Sequence, residues 1–212
     1  MRRSLKSIIL IVMIGVCVMP GRVAFSQPAT KTVNPEPAFT IAKAEEFFNS
    51  AQTMVSDFVQ ITNDGRRFEG KLSIQKPGKL RFEYARPATL EIVADGTSVA
   101  VRDRKLATQD VYFISQTPLK FLLKPRTDLS KDVRVLEVIN SNNVVSILVE
   151  DKATFGGTSR IRLFFDPVSY ALKQWSIVDP QGYETLVTLS NLDLKTKPDP
   201  ALFVINYERF DR

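Results

Sequence analysis

Apolar and polar residues alternate along one long stretch of the chain, residues 67–101. In its first part Phe68, Leu72 and Ile74 fall on one side of an extended backbone, while charged and polar residues fall on the other. The period of two continues through three more segments, which Pro-Gly and Asp-Gly dipeptides help to separate. Such dipeptides are typical of tight turns between antiparallel strands. The pattern predicts four strands of a sheet with one polar and one apolar face.

The same alternation returns in most of the remaining chain. It predicts strands over 57–62, 106–114, 133–139, 144–150, 160–166, 171–178 and 183–192. The total is about eleven strands joined by short turns, without the alternation of strands and helices that favours a parallel sheet. A meander of this length has to curl into a sandwich or a barrel.

Two segments have a helical pattern instead. Thr40 can cap a helix whose apolar residues recur at three- and four-residue steps, namely Ile41, Ala44, Phe48, Ala51 and Val55. The apolar segment 119–123 predicts a further helical turn, which Lys124-Pro125 ends. Because helical material is scarce and both pieces have an apolar side, we expect them to lie across the concave, apolar face of one strongly curved sheet.

The N-terminal region has the composition of a secretory signal sequence. A basic start precedes an apolar run over 8–19, which is too short to cross a bilayer comfortably, and a small-x-small site ends at Ser26. Residues 27–38 contain three prolines and no apolar period. We therefore expect a cleaved signal peptide (1–26), a flexible lead-in (27–38) and a single domain (39–212).

Cleavage at this site changes what the charge and the cysteine imply. It removes four basic residues and no acidic ones, so the formal net charge of +6 falls by four, to +2. The high pI then no longer indicates nucleic-acid binding. Cys17, the sole cysteine, would leave with the signal peptide. In the alternative, residues 14–17 form a lipoprotein-processing box and Cys17 becomes a lipidated N-terminus, although Val16 is bulky for the residue that precedes such a cysteine.

The residue types on which most enzymes depend are scarce in this chain. There is no histidine, the commonest general base and metal ligand. A pair of carboxylates could act as in a glycosidase, and the aspartates near turns are Asp95, Asp103, Asp110, Asp166 and Asp179. Aspartate before Gly or Pro is, however, what turn geometry favours. We expect a protein that is not an enzyme, needs no cofactor and binds neither a metal nor nucleic acid.

A set of short motifs carries a resemblance to a known family. In chain order they are Phe58-Val59-Gln60, Gly70-Lys71-Leu72, Lys76-Pro77-Gly78, Leu80-Arg81-Phe82-Glu83-Tyr84, Ala94-Asp95-Gly96, Pro118-Leu119 and Asp179-Pro180-Gln181-Gly182. None is specific alone. As an ordered set spread over 41–203, behind a signal peptide, they resemble the LolA family of periplasmic carriers of outer-membrane lipoproteins.

The resemblance implies a fold, a function and partners. The implied fold is mainly β (α+β), an unclosed antiparallel β-barrel of eleven strands with an α-helical lid over an apolar cavity. The implied protein is a periplasmic chaperone, which we expect to be a monomer. It would bind the acyl chains of lipoproteins, receive them from an ABC transporter of the inner membrane and deliver them to an acceptor on the outer membrane. The alternatives are a carrier or sensor of another amphiphile on the same fold, and a lipidated outer-membrane acceptor anchored at Cys17.

Many members of the family have an arginine where this chain has Lys76, and that arginine helps to hold the lid shut. Lysine lacks the bidentate fork of arginine, so Lys76 is a candidate latch and a solvated turn residue is the alternative.

The apolar face and the helices together predict the site. The predicted cavity wall consists of Leu72, Ile74, Leu80, Phe82, Tyr84, Leu90, Ile92 and Val99. The predicted lid residues are Ile41, Phe48, Leu119, Leu122 and Leu123. In the alternative these residues simply pack as a core, but so large a sheet face with so little helix to cover it favours a cavity. Tyr84 and Trp175 could be aromatics of the cavity with a polar contact at its rim, although ordinary packing is the favoured interpretation of Trp175.

Overall fold

The computed structural model describes residues 36–118 and 120–207. The predicted signal peptide with Cys17 lies outside the described residues, as do most of the lead-in and the predicted lid residue Leu119.

The alternating segments form one antiparallel sheet of eleven strands. They are β1 (Thr53–Thr62), β2 (Arg67–Gln75), β3 (Lys79–Tyr84), β4 (Leu90–Asp95), β5 (Ser98–Asp103), β6 (Thr108–Phe113), β7 (Arg134–Asn140), β8 (Val145–Thr154), β9 (Gly157–Phe165), β10 (Leu172–Val178) and β11 (Glu184–Asp193). The spatial order is β6-β5-β4-β3-β2-β1-β11-β10-β9-β8-β7. Since β6 and β7 are the edges and do not pair with each other, the sheet stays unclosed. The predicted fold class is confirmed.

The helices are short apart from the first. They are α1 (Pro37–Ser50), α2 (Lys120–Leu123) and α3 (Leu129–Asp132), with 3-10 helices at Ile114–Gln116 and Pro200–Phe203. The prediction that Thr40 caps α1 is wrong. The helix begins four residues earlier, after Glu36, because Pro37 suits a first helical position, where its fixed φ is already helical and no N–H is needed. Thr40 is instead buried, and its Oγ1 accepts a hydrogen bond from Asn140 Nδ2 at 2.7 Å. Val55 belongs to β1 rather than to the helix.

The turns of the sheet define two ends. One end carries the turns β2–β3, β4–β5, β7–β8 and β9–β10, and we call it the lid end because the lid helices, α1, α2 and α3, lie there. The opposite end carries the other turns, and we call it the mouth end. Helix α1 lies across the lid end: Phe48 contacts Phe165 at the end of β9, and Lys76 from the β2–β3 turn reaches the backbone of the same helix. The core therefore lies between the concave face of the sheet and the helices at one end.

The C-terminal segment covers part of the convex face instead. Arg81 Nη1 of β3 donates to the Leu202 carbonyl at 3.2 Å. Farther along, Ile205 packs with Val93 of β4 and Ala100 of β5 in a small second cluster. The concave face is thus left to the helices and to the cavity beside them.

Candidate functional site

A cavity of about 380 Å³ occupies the concave side of the sheet towards its mouth end. Four of the eight predicted wall residues line it, namely Phe82, Tyr84, Ile92 and Val99. Further apolar residues from both halves of the sheet complete the wall: Val101, Tyr112, Trp175, Ile177 and Val187. Phe155, with 66% of its surface exposed, forms part of the rim, so the cavity opens to solvent. Its volume falls within the range of small-molecule sites, roughly 300–1,000 Å³.

Aromatic rings give one wall of the cavity a fixed shape. Phe58 lies edge-on to Phe82, with 5.0 Å between ring centroids, and to Tyr84, with 5.1 Å. Tyr84 OH donates to Gln60 Oε1 at 2.6 Å, and burial raises the pKa of Tyr84 above its usual range. The phenol therefore stays protonated and bound to Gln60, which holds the ring in place.

The other predicted wall residues lie elsewhere. Leu72, Ile74 and Leu80 are fully buried in the main core cluster, which also contains Phe48 and Leu122 of the lid. Leu90 is partly buried against that cluster and does not line the cavity. Leu72, Ile74 and Leu80 pack with side chains of the lid helices in that cluster, whereas Leu90 begins β4 at the mouth end and the position of the lid does not explain its place. The cavity thus takes up only part of the concave face on which the eight predicted wall residues lie.

The lid side chains pack tightly where they meet the sheet. The ring of Phe48 lies 5.8 Å from those of both Phe121 and Phe165. Leu122 and Leu123 of α2 are almost fully buried, and Ile41 packs against the cluster while partly exposed. The concave surface under the helices is therefore apolar and dry.

Polar contacts join the lid helices to one another. Asn49 of α1 makes two hydrogen bonds with the backbone of Thr127, donating to its carbonyl at 3.0 Å and accepting from its N–H at 2.8 Å. Glu45 Oε1 accepts from the backbone N–H of Leu129, the first residue of α3, at 2.7 Å. The segment that carries α2 and α3 is thus bound to α1 as well as to the sheet.

Lys76 touches the lid at the C-terminal half of α1. Its Nζ donates to the Phe48 carbonyl at 2.5 Å and lies 5.9 Å from the centroid of the Phe48 ring. Burial lowers the pKa of the Lys76 ammonium to about 8. The contact joins the β2–β3 turn to the lid; the role of Lys76 as a latch stays a prediction.

One buried ion pair was not predicted from the sequence. Lys120 Nζ of α2 lies 2.8 Å from each carboxylate oxygen of Asp151 in β8, and the approach to Oδ1 has hydrogen-bond geometry. The side chain of Asp151 is 3% exposed and that of Lys120 13%. The pattern of apolar and polar residues in the sequence could not indicate this ion pair, because 31 residues separate Lys120 from Asp151 and one lies in a helix and the other in a strand.

The gap between the two edge strands is crossed by the residues that follow β6. Gln116, Thr117 and Pro118 line the cavity there, and the Phe155 backbone N–H donates to the Gln116 carbonyl at 2.7 Å. The ring of Tyr112 in β6 lies 5.4 Å from that of Phe155, beyond the end of β8. The mouth of the cavity is therefore partly roofed at the unclosed side of the barrel.

Four of the five aspartates accept hydrogen bonds within their own turns, whereas Asp110 lies inside β6, opposite Val101 of β5, and not near a turn as predicted. Asp103 Oδ1 accepts from the backbone N–H groups of Lys105 and Leu106, and its hydrogen bond from Thr89 holds the pKa of the carboxyl below its ordinary value. Asp179 Oδ1 accepts from two backbone N–H groups of the β10–β11 turn.

Within 36–118 and 120–207, no group of three or more His, Cys, Asp or Glu side chains is arranged to hold a metal ion. None of the helices in that part of the chain is both long and apolar enough to cross a membrane.

A family model and several named relatives point to the same family. A family model described as "Outer membrane lipoprotein carrier protein LolA" matches residues 49–206. Relatives from Chromobacterium violaceum and Methylobacillus flagellatus, each named outer-membrane lipoprotein carrier protein, are both 27% identical to this chain. The first match covers 80% of this chain and 84% of the relative, and the second covers 72% and 77%.

A solved structure supports the fold alone. A DUF1329 family protein from Desulfovibrio piger superposes with a TM-score of 0.50 at 12% sequence identity. The superposition covers 79% of this chain and 96% of that protein.

Proposed function

This chain belongs to the LolA family of outer-membrane lipoprotein carrier proteins, and from that premise we propose that it is a periplasmic chaperone for lipoproteins. It binds their acyl chains on the concave face of the barrel and carries them from the inner to the outer membrane. The observation that carries this proposal is the apolar cavity of about 380 Å³ that the protein's own side chains leave unfilled. The proposal includes no catalytic step.

The energy of burying an acyl chain determines how such a carrier can work. Each buried methylene contributes roughly 0.8 kcal/mol, so one long acyl chain represents about 10 kcal/mol of gross driving force. Release of that chain into water would be prohibitively slow. The cargo has to pass directly from one apolar site into another, which requires contact with a donor and an acceptor at each membrane.

We infer that the lid creates the rest of the binding volume when cargo arrives. The empty half of the concave face alone is small for a lipid with two or three chains. Phe48 and Leu122 belong to the same core cluster as Leu72, Ile74 and Leu80. Displacing the lid would open this cluster and extend the cavity along the same strands. Cargo then replaces apolar contacts that the lid gives up, so the empty and loaded states can lie close in free energy.

The proposed transport route involves the periplasm, a donor complex in the inner membrane and an acceptor on the outer membrane. The N-terminal signal peptide directs the chain to the periplasm of a Gram-negative bacterium. An inner-membrane ABC transporter that releases lipoproteins supplies the cargo, and an outer-membrane lipoprotein acceptor receives it. The family membership supports this route.

The decisive experiment follows the release of a lipoprotein from its membrane. Purified protein without the signal peptide is incubated with inner-membrane vesicles that carry lipoproteins and the ATP-driven transporter. We expect the lipoprotein to leave the vesicles as a soluble complex with this protein. A soluble fraction free of lipoprotein, with an active transporter and a folded carrier, would refute the proposal.

Two variants make the test specific for the cavity. Ile92→Glu places a carboxylate in the cavity wall and should abolish release, because the charge would be buried beside a hydrocarbon chain. Val168→Glu adds the same charge in the β9–β10 turn, where Val168 is 89% exposed, and should leave release unchanged. Mass spectrometry of the protein purified from cells distinguishes a free N-terminus at Gln27, as a carrier requires, from an acylated Cys17.

A further inference from the structure

The turns at the mouth end surround the opening of the cavity. Tyr84, which lines the cavity, is the last residue of β3, and the β3–β4 turn follows it directly. Phe155 of the β8–β9 turn and Asp179 of the β10–β11 turn line the cavity themselves. The Arg104 backbone N–H donates to the Thr89 carbonyl at 3.0 Å, which joins the β5–β6 turn to the β3–β4 turn. A partner that approaches the opening therefore lies close to these turns.

Three of the mouth-end turns each expose one large apolar side chain. Leu106 of the β5–β6 turn is 68% exposed, Phe155 is 66% exposed and Tyr183 of the β10–β11 turn is 60% exposed. Among the lid-end turns, all of which the structure describes, only Val168 is exposed to this extent. One exposed apolar residue is ordinary on a protein surface, but three on the turns around a single opening indicate a surface that contacts something other than water.

Positive charge predominates in the same turns. The five mouth-end turns together contain four basic and two acidic residues, namely Arg66, Arg86, Arg104, Lys105, Asp64 and Asp179. The lid-end turns contain one residue of each sign, Lys76 and Asp166. An anionic surface is therefore attracted to the mouth end rather than to the lid end.

Three of these cations have no partner of opposite charge. Arg86, Arg104 and Lys105 are exposed, and they form no ion pair with any residue that the structure describes. Asp103, at the end of β5, accepts through Oδ1 from the backbone N–H groups of Lys105 and Leu106. Its carboxylate thus orders the β5–β6 turn, whose tip presents an apolar side chain directly beside two free cations.

We propose that the mouth end docks on an anionic phospholipid membrane, with the basic side chains at the headgroups and the apolar tips at the edge of the hydrocarbon. The inference rests on the proposed carrier function and adds the surface on which the carrier sits while acyl chains enter or leave the cavity. A bilayer suits this rim better than a folded partner does, because the apolar side chains stand on three separate turns and a fluid surface accepts each where it lies. A few cations and shallow apolar contacts give weak, reversible attachment, as a carrier that has to leave again requires.

The first test measures binding to vesicles that contain no lipoprotein. Protein without the signal peptide is sedimented with vesicles of phosphatidylethanolamine and phosphatidylglycerol, and with neutral vesicles of phosphatidylethanolamine and phosphatidylcholine. We expect binding to the anionic vesicles alone, and weaker binding at high salt. Equal binding to both kinds of vesicle, or to neither, would overturn the docking proposal and leave the carrier function standing, because no cargo takes part. A protein that binds the anionic vesicles but releases no lipoprotein would contradict the carrier function alone.

Substitutions at exposed positions locate the contact without disturbing the core. Arg104→Ser combined with Lys105→Ser should weaken binding to anionic vesicles about tenfold or more. Leu106→Ser should weaken it about threefold or more, because less apolar surface is buried. Arg126→Ser and Val168→Ser, at exposed positions of the lid segment and of a lid-end turn, should leave binding unchanged. Equal losses in these two controls would overturn the assignment to the mouth end.

Fluorescence shows which end of the molecule faces the bilayer. Cys17 is the sole cysteine and lies in the signal peptide, so the purified protein can be labelled at one introduced thiol. An environment-sensitive dye on Leu106→Cys or on Phe155→Cys should shift its emission to shorter wavelength with anionic vesicles, and the same dye on Val168→Cys should not. A shift at Val168→Cys alone would reverse the orientation and overturn the proposal. Loss of lipoprotein release in the Arg104→Ser/Lys105→Ser variant, without any vesicle binding by the wild type, would assign the tips to an acidic protein partner instead.

Discussion

Lys76 puts a positive charge against the last turns of α1. Its ammonium donates to the Phe48 carbonyl, in the C-terminal half of the helix, where the partial charge of the backbone is negative. A lysine makes this contact through a single point of charge, whereas an arginine would present a rigid fork with several donors. Burial under the lid then lowers the pKa of Lys76 from its ordinary value of 10.5 to about 8.

This lowered pKa makes stability depend on pH in a defined window. Between about pH 8 and 10.5 the unfolded chain binds a proton at Lys76 that the folded protein has lost, so the free energy of unfolding rises with pH there. We expect the wild type to gain stability relative to Lys76→Met as the pH rises through this window, measured by urea unfolding. Lys71→Met, at an exposed position of the preceding strand, should show the pH dependence of the wild type. A constant difference between wild type and Lys76→Met would contradict the buried contact.

Gly78 fixes the β2–β3 turn beneath the lid. Its φ is +77°, its N–H donates to the Leu123 carbonyl of α2 at 2.9 Å, and an added Cβ would lie 2.6 Å from Gly96 Cα. Both the dihedral angle and the close approach of the neighbouring turn require glycine here.

Gly65 offers a matched control for this turn. Its φ is +78°, but an added Cβ would meet no atom within 4 Å. Gly65→Ala should lower the free energy of unfolding by about 1 kcal/mol through backbone strain alone. Gly78→Ala should cost at least about 2 kcal/mol, because the clash with Gly96 is added. If chemical denaturation gave the same loss of unfolding free energy for both variants, the β2–β3 turn with Gly78 would not be in close contact with the β4–β5 turn with Gly96.

At the scale of elements, the lid is held by polar contacts as well as by apolar packing. The pair Lys120–Asp151 joins α2 to β8, while Asn49 and Glu45 join α1 to the segment that contains α3. A lid secured only by apolar contacts could slide along the sheet, whereas paired polar groups specify one position. We therefore expect α1, α2 and α3 to leave the sheet together.

A double-mutant cycle measures the contribution of the buried pair. Asp151→Leu leaves Lys120 as a buried charge without a partner and should cost about 3 kcal/mol or more of unfolding free energy. Adding Lys120→Met should recover most of that loss, because neither charge then remains. The exposed pair Lys43–Glu46 serves as the control, with an expected coupling below about 1 kcal/mol. Additive losses at Lys120 and Asp151 would mean that the pair does not fasten the lid.

The sequence predicted some elements well, for reasons visible in particular residues. In β9, Ile161, Leu163 and Phe165 are buried as the alternation requires, because a strand with one dry face has little choice of register. Helix α3 was missed because its four residues include one apolar side chain and so show no period. The start of α1 was misplaced because Pro37 was assigned to the lead-in rather than to a first helical turn.

The sequence predicted which residues lie on the concave face of the sheet, but not which of them line the cavity and which pack under the lid. Alternation correctly assigns Ile74 and Tyr84 to the concave side, yet Ile74, beside the β2–β3 turn, is packed in the core, whereas Tyr84, at the other end of β3, lines the cavity. The difference depends on where α1, α2 and α3 lie along the strands, which contacts distant in sequence decide.

At the scale of the whole molecule, the sheet and the lid should respond differently to cargo. The central strands pair along both sides and need not change, whereas under the proposed function the lid gives up its contacts with the concave face. We expect hydrogen–deuterium exchange to accelerate in α1, α2 and α3 when an acylated peptide is added, with β1 and β11 unchanged. The Ile92→Glu variant should show no such acceleration. Slower exchange in the lid upon binding would indicate that cargo lies beside a closed lid.

The unpaired edges of β6 and β7 have a consequence for the range of guests. In a closed barrel the strand number and the stagger fix the diameter, so a bulkier guest can enter only if a ladder of hydrogen bonds breaks. Here the sheet ends in two edge strands that share no ladder, and the contacts of Phe155 with Gln116 and Tyr112 are what crosses the gap between them. Under the proposed function, a bulkier acyl chain could then widen the interior by breaking these few contacts rather than a ladder of the sheet.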